Sequence, residues 1–234
     1  MSTASPTTTA RGLGEPIATR PAVPLAARLA DPVPVGLAGF GLTTFMLSLI
    51  EAGIIDKSAM PIVLGSALAY GGILQLAAGM WAFVRNNTFA AVALGSYGAF
   101  WISFWALNAF YMDRIPTKEQ NAALSLFLIS WGIFSFYMWI VSFRVNLAVM
   151  LVFLTLWPAY LLIGIGTAND SATVVHIGGV FGIATAVLAW YVSFADTLHN
   201  TIGKRLLPLV PFARREVDTP PSEVRAYRPV GDSR

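Results

Sequence analysis

The chain of 234 residues contains no cysteine. That absence removes disulfides, thiolate metal sites, iron–sulfur clusters and cysteine nucleophiles at once. Charge is also scarce: Asp, Glu, Lys and Arg make up 12% of the residues, about half the share of an ordinary soluble domain. No lysine falls inside an apolar stretch, so a retinal Schiff base has no anchor. His176 and His199 are the whole imidazole inventory, and His199 lies beyond the last apolar stretch. A bis-histidine haem within a membrane therefore lacks its second ligand. These residues call for neither a cofactor nor a metal.

What the chain does have is apolar surface, with 56% hydrophobic residues and a mean hydropathy of +0.66. The charged residues leave six uncharged windows, 32–50, 58–84, 86–112, 120–143, 145–169 and 171–195. Each is long enough to cross a hydrocarbon core about 30 Å thick, which takes about 20 residues of helix. Helices are expected at about 34–52, 60–84, 88–112, 120–143, 146–166 and 172–196. The fold class is an all-α integral membrane protein with six transmembrane helices, confined to the segment 31–200.

An even number of spans puts both termini on one side. That side holds Arg11, Arg20, Arg28, Arg85, Arg144 and a basic tail over 201–234, whereas the other has only Lys57, Arg114 and Lys118 among several carboxylates. The positive-inside rule makes both termini cytoplasmic. Residues 1–30, rich in Ser, Thr, Pro and Ala, read as a disordered tail without a secretory signal. The basic isoelectric point then reflects orientation and contact with anionic lipid, not nucleic acid.

The first helix opens on Asp31-Pro32-Val33-Pro34-Val35-Gly36-Leu37-Ala38-Gly39-Phe40. Prolines suit a first turn whose N–H groups lack intrahelical partners, and Asp31 is placed as the N-cap. Thr43 and Thr44 follow, able to bond back to their own helix or to face a lumen. On the second helix Gly65, Gly72 and Gly79, seven apart, form an expected packing stripe. Beside them Tyr70 and Gln75 add polar groups, and the Gln75 amide would be stranded in lipid and so must point inward. An interhelical bond and a substrate contact both fit it. Helix 3 repeats Tyr97, Phe100, Trp101, Phe104 and Asn108 at three- and four-residue steps, one face that is either core or a mostly dry pore wall. Helix 4 is aromatic and is assigned to lipid or another protomer. Pro158 interrupts helix 5. His176, one turn into helix 6, and Asp31 are the groups able to link substrate movement to protons.

The decapeptide resembles the signature of the acetate uptake transporter family, which includes the succinate–acetate permeases: Asn-Pro-(Ala/Val)-Pro-(Leu/Phe)-Gly-Leu-x-(Gly/Ser/Ala)-Phe. Asp31 and Val35 depart from it. Tyr70-Gly71-Gly72-x-x-Gln75, Ala78-Gly79-Met80-Trp81, Asn87-Thr88-Phe89, Ser96-Tyr97-Gly98-Ala99-Phe100-Trp101 and Gly203-Lys204-Arg205-Leu206-Leu207-Pro208-Leu209 continue the likeness in order. Ala82 stands where the family often has Glu, and Asn86 where it has Gly. The resemblance implies a plasma-membrane protein that takes up acetate and succinate, with or without protons. It also implies a homohexamer with a pore in each protomer, narrowed by a Phe, a Tyr and a Leu that map to Phe40, Tyr97 and Leu154. Independently of it, uncharged spans carrying Tyr, Thr, Asn and Gln suit a small carboxylate, which a fixed Arg would hold too tightly. A passive anion channel, or a structural or signalling membrane protein, is the competing reading.

Overall fold

A computed structural model describes residues 29–212; the outer parts of both tails assigned above lie outside the described residues. Six spans, labelled α1 to α6, run over Val33–Glu51, Lys57–Val84, Thr88–Arg114, Thr117–Ser142, Leu147–Ala168 and Ala172–Ile202. With no water to bond in a bilayer core, a continuous helix is how an isolated segment satisfies its own backbone, and each uncharged window has become one helix. The segments pack in the order α4, α5, α6, α1, α2, α3. The ring closes through aromatic side chains of α3 and α4, where Phe100 lies 5.4 Å from Phe127 and 5.2 Å from Trp131 between ring centroids.

The start of α1 differs by one residue from the expectation. Pro32 is the N-cap, and Asp31 precedes it, its carboxylate accepting the Val33 N–H at 3.0 Å. Proline has no side-chain acceptor, so the capping role passes back to the nearest carboxylate. At the other end Gly53, with φ 71°, stops the helix: its N–H donates to the Ile50 carbonyl at 3.0 Å and that of Ile54 to Leu49 at 3.0 Å. This is a Schellman closure that needs a left-handed residue.

The stripe of three glycines on α2 is not one stripe. Residues Ala69–Leu74 form a π-helical turn, and the extra residue rotates everything before it relative to everything after. Gly65 consequently faces open space, while a Cβ on Gly79 would stand 2.4 Å from the Gly95 nitrogen and one on Gly98 2.5 Å from the Leu76 nitrogen. Thus α2 and α3 meet backbone to backbone. A second π-helical turn, Leu107–Tyr111, lies near the end of α3.

In α5, Pro158 lies inside the helix and leaves the Leu154 carbonyl without its intrahelical donor. Gly203, φ 76°, ends α6. The chain then turns back over α5, where the Val210 and Leu209 carbonyls accept the N–H groups of Leu147 at 3.0 Å and Ala148 at 3.3 Å. These are donors that a helix start leaves unpaired.

Candidate functional site

Two cavities lie along the axis of the helix ring. The larger, about 830 Å³, opens at the end where the described chain begins and ends; the smaller, about 90 Å³, lies toward the opposite end. Leu156 lines both. Beside it stand Phe40 and Tyr97, whose rings are 5.5 Å apart. All three are 3% exposed; the constriction at Leu156, where the two chambers meet, is the neck.

Three helices start at the mouth of the large chamber. Asp31 serves α1; Asn87 accepts from the Ala90 N–H at 3.1 Å for α3; Asn146 accepts from the Val149 N–H at 2.8 Å for α5. The positive ends of three helix dipoles therefore face one aqueous vestibule. Arg144 and Arg205 line the same mouth, with Arg205 3.6 Å from Asp196. Arg85 donates to the Leu29 carbonyl close by. Deeper in, Gln75 is 1% exposed and its Oε1 has no partner. The π-helical turn ends directly before it, which is how α2 delivers an amide to the lumen.

At the neck, the Tyr97 hydroxyl meets the Ser135 Oγ at 2.8 Å. Ser135 donates its own proton to the Trp131 carbonyl at 2.7 Å, so the phenol is the donor in the first bond. Its proton is thereby engaged, and Tyr97 offers passing solutes a ring and oxygen lone pairs. The small chamber carries Thr44, Ser48, Trp101 and Asn108. Thr44 Oγ1 and Trp101 Nε1 are buried there without a protein partner, and the Asn108 amide donates to the Phe104 carbonyl at 2.8 Å.

The structure thus brings Asp31, Phe40, Gln75 and Tyr97 to the large chamber and Thr44 and Asn108 to the small one. Four other candidates line neither. Thr43 bonds back to Gly39 at 3.0 Å and abuts Gly71. Tyr70 packs its backbone on Gly39. His176 is exposed and lies over Gly53. Leu154 is turned away from the lumen; two residues of helix are about 200° of rotation, so Leu156 takes the place expected of it. A register error of two cannot be read from a run in which Leu recurs at 151, 154 and 156.

Two further residues escaped the sequence reading. Ser135 lies on a helix assigned to lipid or another protomer, yet it is fully buried; the signal was the need of a buried phenol for a partner. Glu51, inside the expected helix 34–52 but given no role there, is the last residue of α1 and lines the small chamber. The spans therefore do contain a carboxylate on the lumen. The cue was Gly53, which fixes where α1 stops.

The GPR1/FUN34/yaaH family model matches residues 15–213. Acetate permease A of Emericella nidulans is 37% identical over 213 residues, which are 82% of this chain and 72% of that protein. The succinate-acetate/proton symporter SatP of Escherichia coli K12 is 32% identical over 182 residues, 78% of this chain and 96% of that protein. A solved structure, that of the bacterial acetate channel SatP, superposes with a TM-score of 0.72 at 30% identity, covering 77% of this chain and 99% of that one. Sequence and architecture agree across all six spans, and the chain belongs to the GPR1/FUN34/yaaH family.

Proposed function

We propose that this multi-pass membrane protein transports small carboxylates, acetate foremost and succinate as a larger substrate, through the lumen of each chain. The observation that carries the reading is the sequence of environments along that lumen. An anion is drawn toward three helix N-termini and the arginines at the large mouth, which lower the cost of approach without a buried fixed cation to trap it. Gln75 then offers an amide. The neck of Phe40, Tyr97 and Leu156 strips water and selects by width. Beyond it, Thr44 Oγ1 and Trp101 Nε1 are unpaired donors able to bond a carboxylate.

The names of the relatives support acetate as the substrate and include both a proton symporter and a channel. The cation-rich face with Arg85, Arg144 and Arg205, against Glu51, Asp56, Asp113, Glu119 and Asp170 at the other end, supports cytoplasmic termini in a plasma membrane. The exposed Leu126, Ile133, Phe136, Tyr137 and Ile140 of α4 suit lipid or neighbouring copies in a hexamer. The test is uptake of labelled acetate into proteoliposomes of the purified chain, with and without an imposed pH gradient. Saturable uptake above that of empty liposomes is expected. Stimulation by an inward proton gradient favours symport, and equal rates favour a channel. Uptake no faster than in empty liposomes would dispose of the reading.

A further inference from the structure

We propose that Glu51 is the group whose protonation sets the rate at which a carboxylate passes the small chamber, so that acid transport depends on the pH at the mouth opposite the termini. This rests on the transport reading above and deepens it. The inference starts from position: Schellman closure at Gly53 makes Glu51 the last residue of α1 and places it on the wall of a cavity of about 90 Å³. An anion in so small a space lies beside the Glu51 carboxylate wherever it sits.

The surroundings leave that carboxylate in charge of the local field. Lys57, at the start of α2, is the cation whose field reaches it, and neither ion pair among the described residues includes it. Asp56, in the same connection, turns its carboxylate to the Ser58 N–H at 2.8 Å. From α3 comes the neutral Asn108, from α4 come Leu124 and Leu128, and from α5 the Tyr160 phenol. On α6 His176 covers Gly53, while Gly179 abuts the Ala52 backbone.

Ionised, Glu51 repels a carboxylate that has come through the neck. Protonated by one proton from the adjoining solution, it becomes a donor. Its O–H can bond a substrate oxygen, and the pair carries one negative charge instead of two. The proton returns to solution when the acid leaves, so nothing is consumed.

The experiment is labelled-acetate flux in proteoliposomes of the full chain, scanned over a pH range in which acetate stays almost wholly ionised. Wild-type flux should rise as pH falls. Glu51→Gln should be fast throughout, about tenfold above wild type at the alkaline end, the scale of a screened like-charge repulsion, and should show a flat profile. Glu51→Asp should keep the slope. Lys57→Gln, a milder change, should move the midpoint of the profile to higher pH, because a cation that opposes protonation is gone. A Glu51→Gln profile with the wild-type slope, or a Lys57→Gln midpoint that stays put, overturns the proposal. Wild-type flux that exceeds empty liposomes but ignores pH overturns the role of Glu51 alone. Wild-type flux that never exceeds them removes the transport reading as well.

Discussion

Replacing Leu156 with alanine takes three carbons from the narrowest part of the lumen. The side chain is 3% exposed and touches both chambers, so its removal joins them. A fully enclosed leucine in a core costs about 2–5 kcal/mol on truncation. One side of Leu156 already borders open volume, so the expected stability loss is about 2 kcal/mol, and the protein should remain folded. Selectivity should respond more. One methylene is worth about 1–3 kcal/mol of discrimination at a tight apolar contact, and propionate exceeds acetate by one methylene. The flux ratio of propionate to acetate should therefore rise by about tenfold in Leu156→Ala. Leu154→Ala, two residues earlier and off the lumen, should leave the ratio unchanged. The comparison is read from proteoliposome uptake of the two labelled acids. A rise in Leu154→Ala with none in Leu156→Ala would refute the placement of the neck.

Gln75→Ala should weaken apparent acetate affinity by about tenfold or more, since a hydrogen bond to a charged group is worth about 1.5–3 kcal/mol; unchanged uptake kinetics would make Gln75 a packing residue. Asp31→Asn keeps an acceptor for the Val33 N–H while deleting a negative charge from the large mouth, so acetate flux should rise with thermal stability preserved; a fall in flux would show that the carboxylate assists. Gly79→Val should fail to yield monodisperse protein on size exclusion, because its Cβ meets the Gly95 nitrogen, whereas Gly65→Val, facing open space, should be tolerated. Asp56, outside the spans, is held below the usual carboxylate range by hydrogen bonds from Ser58. A carboxylate lowered in this way stabilises the fold above its ordinary range and ceases to do so as pH falls through the lowered value. Asp56→Asn should accordingly melt below wild type at neutral pH and converge with it in acid.

The six spans were legible because a bilayer makes one demand on every crossing segment, and the charged residues from Glu51 to Asp196 punctuate the chain wherever that demand lapses. Gln75 was legible for a related reason: an amide in an apolar helix must turn inward. Phe40 and Tyr97 came from motifs and fell beside one another. Less legible was anything that depended on helical phase. The π-helical turn Ala69–Leu74 broke the alignment of Gly65 with Gly72, and counting by seven assumes no such insertion. Pro158 and a leucine-rich run hid which leucine of α5 faces inward. His176, expected to link substrate movement to protons from one turn into an apolar helix, is exposed, because that first turn emerges beside the Gly53 connection. Ser135 could be found only with α4 laid against Tyr97, a relation between segments that periodicity within one helix does not contain.

The absence of cysteine makes the central claim directly measurable, since any thiol introduced is the only one present. Leu156→Cys, treated with a small methanethiosulfonate reagent in proteoliposomes, should lose acetate flux as the disulfide adduct fills the neck. Acetate should slow the modification, and reductant should restore the flux. The same treatment of Leu154→Cys should leave flux intact. Complete labelling of Leu156→Cys with acetate flux undiminished would contradict a permeation path between Phe40, Tyr97 and Leu156.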